Sequence, residues 1–142
     1  MAVTEVTTIA ELRELYPLIE LGVSRLSKKG GVGPDRIAAD VYHEVINGRV
    51  RFFAVHDDDQ VWGWGTGYLN GVDAVIEDFF LTTGAPKFLM FEFADHFEKA
   101  MQAEGAIKVS FVTQREALGK VMSKSGYTFT CYVFTKELGK NG

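Results

Sequence analysis

Two adjacent carboxylates, Glu77 and Asp78, interrupt the apolar run VDAVIEDFFL. A carboxylate set among apolar residues must be solvated, paired or shifted in pKa. The pair therefore marks this strand as a candidate site. The run leads through a short connection, TTGAPK, into FLMFEFADHFEKAMQAEG, which reads as a helix. A strand turning directly into a helix aims free backbone N–H groups past the strand's end, a ready seat for phosphate. Any chemistry on a phosphorylated ligand is therefore expected within residues 72–105.

Competing chemistries lack their residues. His43, His56 and His96 are far apart and share no zinc-ligand spacing with Cys or acidic residues. There is no GxxxxGK phosphate loop and no GxSxG turn. HDDDQ at 56–60 lacks the Gly and Glu positions of a calcium loop and reads as a solvated turn. Cys131 is the only cysteine, so no intrachain disulfide can form, and its apolar surroundings suggest a buried thiol in a reducing compartment.

The elements that must position the 72–105 unit are readable in order. Residues 2–7 alternate weakly, as a short first strand would. Thr8 and Glu11 have capping-box spacing and start a helix whose apolar stripe is Ile9, Leu12, Tyr16, Ile19, Val23 and Leu26. Pro17 predicts a kink near residues 14–16. KKGGVGP at 28–34 is a mobile loop bordering a cleft or simply exposed, and Pro34 opens a second helix with Ile37, Val41 and Val45 toward the core.

Residues 51–55 and 61–69 form an antiparallel hairpin. In the second strand Gly63, Gly65 and Gly67 share one face, which admits either a ligand or a closely packed helix. Asn70-Gly71 turns the chain back, so the Glu77 strand runs antiparallel beside it. Met90, Phe93, Ala94, Phe97 and Met101 form the stripe of the third helix, which Gly105 ends. A strand at 107–113 then makes a parallel or splayed crossover pair, and a helix at 115–125 and a strand at 128–138 close the chain.

A chain of 142 residues fits one domain, residues 1–142, and its 13% aromatic content predicts an aromatic core. A net charge of −4, with only Lys28-Lys29 clustered, gives no basic surface for nucleic acid. Charges break every long apolar segment and the first residues lack a secretory pattern, so no membrane association is expected and the location read is cytoplasmic.

This order of elements, with an acidic strand, a turn and a helix at its centre and Gly126-Tyr127 before the last strand, resembles the GNAT superfamily of acyl-CoA dependent N-acyltransferases over nearly the whole chain. The resemblance implies an α/β (α+β) fold, a central mixed, mostly antiparallel sheet of about six strands flanked by about four helices. It implies acetyl-CoA as cofactor, its pantetheine arm between the strands at 73–81 and 107–113. Acetyl transfer to a primary amine would follow, with Glu77 as base and the backbone N–H groups of Phe79 to Leu81 polarising the thioester. The diphosphate would rest on Gly84, Ala85, Lys87, Phe88 and Leu89.

Two departures from the family's pattern stand out. Pro86 and Phe88 occupy positions where the diphosphate loop usually has glycines, and proline removes a donor. Met122 replaces the tyrosine that commonly protonates the leaving thiolate, with Ser123 and Tyr127 the nearest hydroxyls. These departures, with the chain's size, also resemble small GNAT-like proteins of tailed bacteriophages. That alternative implies an inactive structural or assembly component, located in a virion if phage-derived. The amine acceptor is not specified by any residue, and the last strand could serve a homodimer or another protein partner.

Overall fold

The computed structural model describes residues 2–28, 37–111 and Gly126. The predicted glycine loop from residue 29 and its Pro34, the helix at 115–125 with Met122 and Ser123, and the closing strand with Tyr127 and Cys131 lie outside the described residues.

The described elements are β1 (Val3–Val6), α1 (Ile9–Glu14), α2 (Tyr16–Lys28), α3 (Ala38–Ile46), β2 (Arg51–His56), β3 (Val61–Asn70), β4 (Asp73–Leu81), α4 (Phe88–Ala103) and β5 (Lys108–Phe111). The five strands form one sheet in sequence order, antiparallel from β1 to β4 and parallel between β4 and β5. The crossover through α4 forces that last pairing to be parallel, because the chain re-enters the sheet in the direction it left.

The sheet is covered on both faces, which explains why Phe52, Phe53, Ala54 and Val55 are all buried in succession. One core layer joins Phe53, Ala74 and Ile76 to Leu89, Phe93, Phe97 and Met101 of α4. The other joins Phe52, Trp64 and Phe80 to Leu12, Ile19, Val23 and Val41 of the first three helices. The expected aromatic core is present as stacked pairs, Phe52 with Trp64 at 5.5 Å and Phe93 with Phe97 at 5.9 Å between centroids, and as edge-on pairs such as Phe53 with Phe97 at 5.8 Å.

The predicted kink divides the first helix at Leu15, which separates α1 from α2. Thr8 Oγ1 accepts from Glu11 N at 3.2 Å, while the Glu11 carboxylate accepts from the Thr8 hydroxyl rather than from the backbone of the cap. Two expected core positions are exposed. Ile9 starts α1, one turn before the helix settles on the sheet, and Ile37 precedes α3, with its N–H bonded to Asp40 Oδ2 at 2.9 Å. A residue at a helix start follows the entering chain rather than the stripe behind it.

The glycine face of β3 is a packing surface. A Cβ on Gly65 would stand 2.4 Å from the Phe93 ring, and one on Gly67 would stand 2.4 Å from the Phe97 ring and 2.6 Å from Val75 O. Helix α4 thus occupies the space that a ligand would otherwise have taken.

Candidate active site

The antiparallel register of β3 and β4 breaks at one place. Thr66 pairs with Asp78 and Gly67 pairs with Ile76, so Glu77 is an extra residue in β4. Such a bulge bends the strand and re-aims its side chains. Before it, Ala74 and Ile76 face α4. After it, Phe79 faces α4, with its ring 4.8 Å from Phe93, and Phe80 turns to the opposite layer beside Trp64.

The bulge also sets the direction of the amides that follow. Thr82 N donates to Trp62 O at 2.7 Å, which makes that pair a bonded rung. Rungs alternate along an antiparallel ladder, so Asp78 and Phe80 direct their N–H groups to β3, while Phe79 and Leu81 direct theirs away from it. That outer edge is the side on which β5 lies. The described β4–β5 ladder runs from Asp73 with Lys108 to Ile76 with Phe111, and β4 continues five residues further to Leu81.

Glu77 is half-buried, with its Oε2 shielded from solvent. Asp78 is buried on the face of the first three helices and accepts from Thr66 Oγ1 at 3.3 Å, Thr66 itself being fully buried. The two carboxylates are therefore separated by the bulge: one is placed on it, the other is held in the core.

Beyond β4, Thr82 to Ala85 form a turn closed by Ala85 N donating to Thr82 O at 3.1 Å, with Gly84 at φ +88°. A positive φ at this position favours glycine, and the space a Cβ would take is open. At the start of α4, Leu89 N and Met90 N turn back to Pro86 O and Lys87 O at 3.1 and 3.2 Å. Among the described residues, no backbone hydrogen bond engages the amides of Lys87 and Phe88, the two left for an anion. No side chain caps this end.

Lys87 is exposed, Ala85 half-buried, and Leu89 buried under α4 as an anchor of the turn. Phe88 is 57% exposed, so its ring does not lie between β4 and β5.

Arg25 of α2 reaches this turn and went unremarked in the sequence. Its Nη1 donates to Thr83 Oγ1 at 2.9 Å and its guanidinium lies 5.9 Å from the centre of the Phe80 ring. The available signal was that Leu18, Gly22 and Arg25 share one face of α2 at helical spacing. A separate polar groove of about 430 Å³, lined by Asp40, His43, Glu44, Asn47 and Arg49, includes no residue of this site. Among the described residues no cluster of His, Cys, Asp and Glu suits a metal, and no helix is long and apolar enough to cross a membrane.

A mostly antiparallel sheet, a parallel β5 reached through a helix, and helices on both faces give the chain a GNAT-like fold. Solved structures share it across nearly the whole chain. A probable acetyltransferase superposes with a TM-score of 0.72 at 13% identity, covering 96% of this chain and 99% of its own. An aminoglycoside N-acetyltransferase in complex with CoA gives 0.68 at 12%, covering 96% and 98%. Glucosamine-6-phosphate N-acetyltransferase from Arabidopsis thaliana gives 0.67 at 13%, covering 96% and 97%. No protein-family model and no curated protein matches the chain.

Proposed function

We propose that this protein is an acyl-CoA dependent N-acyltransferase that moves an acetyl group from acetyl-CoA to a primary amine. The observation that carries the reading is the Glu77 bulge. It sets a half-buried carboxylate at the break in the β3–β4 register and directs the Phe79 and Leu81 amides away from β3, to the edge on which β5 lies. The CoA complex of an aminoglycoside N-acetyltransferase with the same fold supports acyl-CoA as the donor.

The residues of the turn suit a diphosphate. Gly84 leaves its backbone open to close approach, the Lys87 and Phe88 amides engage no backbone acceptor among the described residues, and the Lys87 ammonium supplies charge. Pro86 costs one donor. Bound acetyl-CoA brings an acyl group already activated as a thioester. The Phe79 and Leu81 N–H groups stabilise negative charge on the acyl oxygen as the amine adds to the carbonyl carbon. Glu77 accepts the proton that the amine loses, directly or through a water; the carbon–sulfur bond then breaks as the carbonyl re-forms, and CoA leaves as a thiolate that takes a proton from solvent.

The test is release of the CoA thiol from acetyl-CoA in the presence of a panel of primary amines, including aminoglycosides and amino sugars. An active acceptor together with a Glu77→Gln variant slowed about 100-fold or more is expected for a general base. No turnover with any amine in a chain that still binds CoA would favour the non-enzymatic alternative.

A further inference from the structure

Helix α2 is locked to the β3–β4 half of the sheet by three consecutive contacts. Trp64 Nε1 donates to Leu18 O at 3.0 Å. The Trp64 indole lies so close to Gly22 that a Cβ there would stand 2.6 Å from the ring. One turn further on, Arg25 reaches past Phe80 to Thr83, the second residue of the turn that leads into α4. The first two contacts belong to the core. The third leaves it and ends on the turn.

We infer that Arg25 is a positioning residue that holds the Thr82–Ala85 turn in its phosphate-receiving conformation before ligand arrives. The inference rests on the reading of that turn as the diphosphate seat. A guanidinium suits the task because its planar fork holds several N–H groups in fixed directions while its charge rests over the Phe80 ring, which a lysine ammonium cannot match. Thr83 is exposed and lies beside Gly84, the most freely rotating residue of the turn. Pinning Thr83 to α2 removes freedom that binding would otherwise have to remove, and a preorganised site binds more tightly for that reason.

The experiment combines a double-mutant cycle with a ligand-free measurement on the intact chain. Arg25→Met keeps the aliphatic stem, Thr83→Val keeps the shape, and Arg25→Lys keeps the charge. Calorimetry with CoA is expected to show each of Arg25→Met and Thr83→Val weakening binding about fivefold, the size of one modest hydrogen bond. The double variant is expected to be no weaker than either single one, because both remove the same contact. Arg25→Lys should recover less than half of the loss.

Hydrogen exchange without ligand should quicken at Ala85, whose amide closes the turn, in Arg25→Met and Thr83→Val alike. Additive losses, a Thr83→Val variant that binds CoA like the wild type, or unchanged exchange at Ala85 would each overturn the positioning role. A wild-type chain indifferent to CoA would overturn the transferase reading and the phosphate role with it. The exchange data would still show whether Arg25 holds the turn.

Discussion

Thr66 and Asp78 form the last regular rung of β3 and β4 before the ladder slips, and the Thr66 hydroxyl donates to the Asp78 carboxylate at 3.3 Å inside the core. This rung fixes the register on one side of Glu77, as Gly67 opposite Ile76 does on the other. The position of the proposed base thus depends on a buried polar pair one residue away.

Thr66→Val takes one donor from a buried carboxylate at nearly constant volume. The expected cost is about 1–3 kcal/mol, measured by urea unfolding, since a carboxylate left short of a donor in the core loses more than an exposed one. The variant should also lower turnover with any amine that the wild type acetylates. A stability equal to wild type would show that the rung does not hold the bulge.

The glycines of β3 give a graded prediction. The nearest atoms to a Cβ on Gly65 all belong to the Phe93 ring, whereas one on Gly67 meets both the Phe97 ring and the carbonyl of Val75. Side chains yield more readily than backbone, so Gly65→Ala should cost about 1–3 kcal/mol and Gly67→Ala more. Adding Phe93→Leu to Gly65→Ala should recover part of the loss. Equal costs for the two single variants would mean that α4 shifts as a body.

Arg51 ties three elements together. It makes paired contacts of 2.7 Å to both Glu5 oxygens on β1 and a further ion pair to Glu104 at the end of α4, and it lies over the Phe53 ring. With these side chains about one-third exposed or more, screening limits its worth. Arg51→Met should cost about 1 kcal/mol at low salt and less at 1 M salt, because exposed charges are screened within a few ångströms there. A loss independent of salt would assign the effect to packing on Phe53.

Asp57 provides a pH prediction in the turn between β2 and β3. The Trp62 indole N–H, at 2.6 Å, and then the Asp59 and Gln60 amides hold its carboxyl below the ordinary aspartate range. Its contribution is therefore complete above the unfolded-chain value of about 3.9 and is lost as the pH falls through the lower folded value. Trp62 fluorescence should report a transition below pH 4 that is absent in Asp57→Asn. A transition at or above the ordinary value would contradict these bonds.

Much of this architecture was legible in the chain because it rests on local rules. Pro17 announced the break between α1 and α2, Asn70-Gly71 announced the antiparallel return of β4, and the α4 stripe announced a core layer. What periodicity could not show was the bulge. Strict alternation places Glu77 and Asp78 on opposite faces of a continuous strand, and the slip that separates their roles depends on tertiary pairing with β3. The Arg25 contact was hidden for a similar reason, since it joins residues 58 positions apart. The glycines of β3 admitted two occupants, and the placement of Phe93 over Gly65 and Phe97 over Gly67 decided for the helix, whereas Gly63 lies against the β4 backbone at Phe80.

On the proposed function the β4–α4 turn receives the diphosphate of an acyl-CoA. Calorimetric titration with acetyl-CoA and with CoA, run on the wild type and on Lys87→Glu, tests it most directly. Binding with a Kd of about 1–100 μM, weakened about tenfold or more by the charge reversal at Lys87, is the predicted result. Absence of heat, together with no rise in Tm at millimolar ligand, would contradict it, because a ligand that binds only the folded chain must stabilise it.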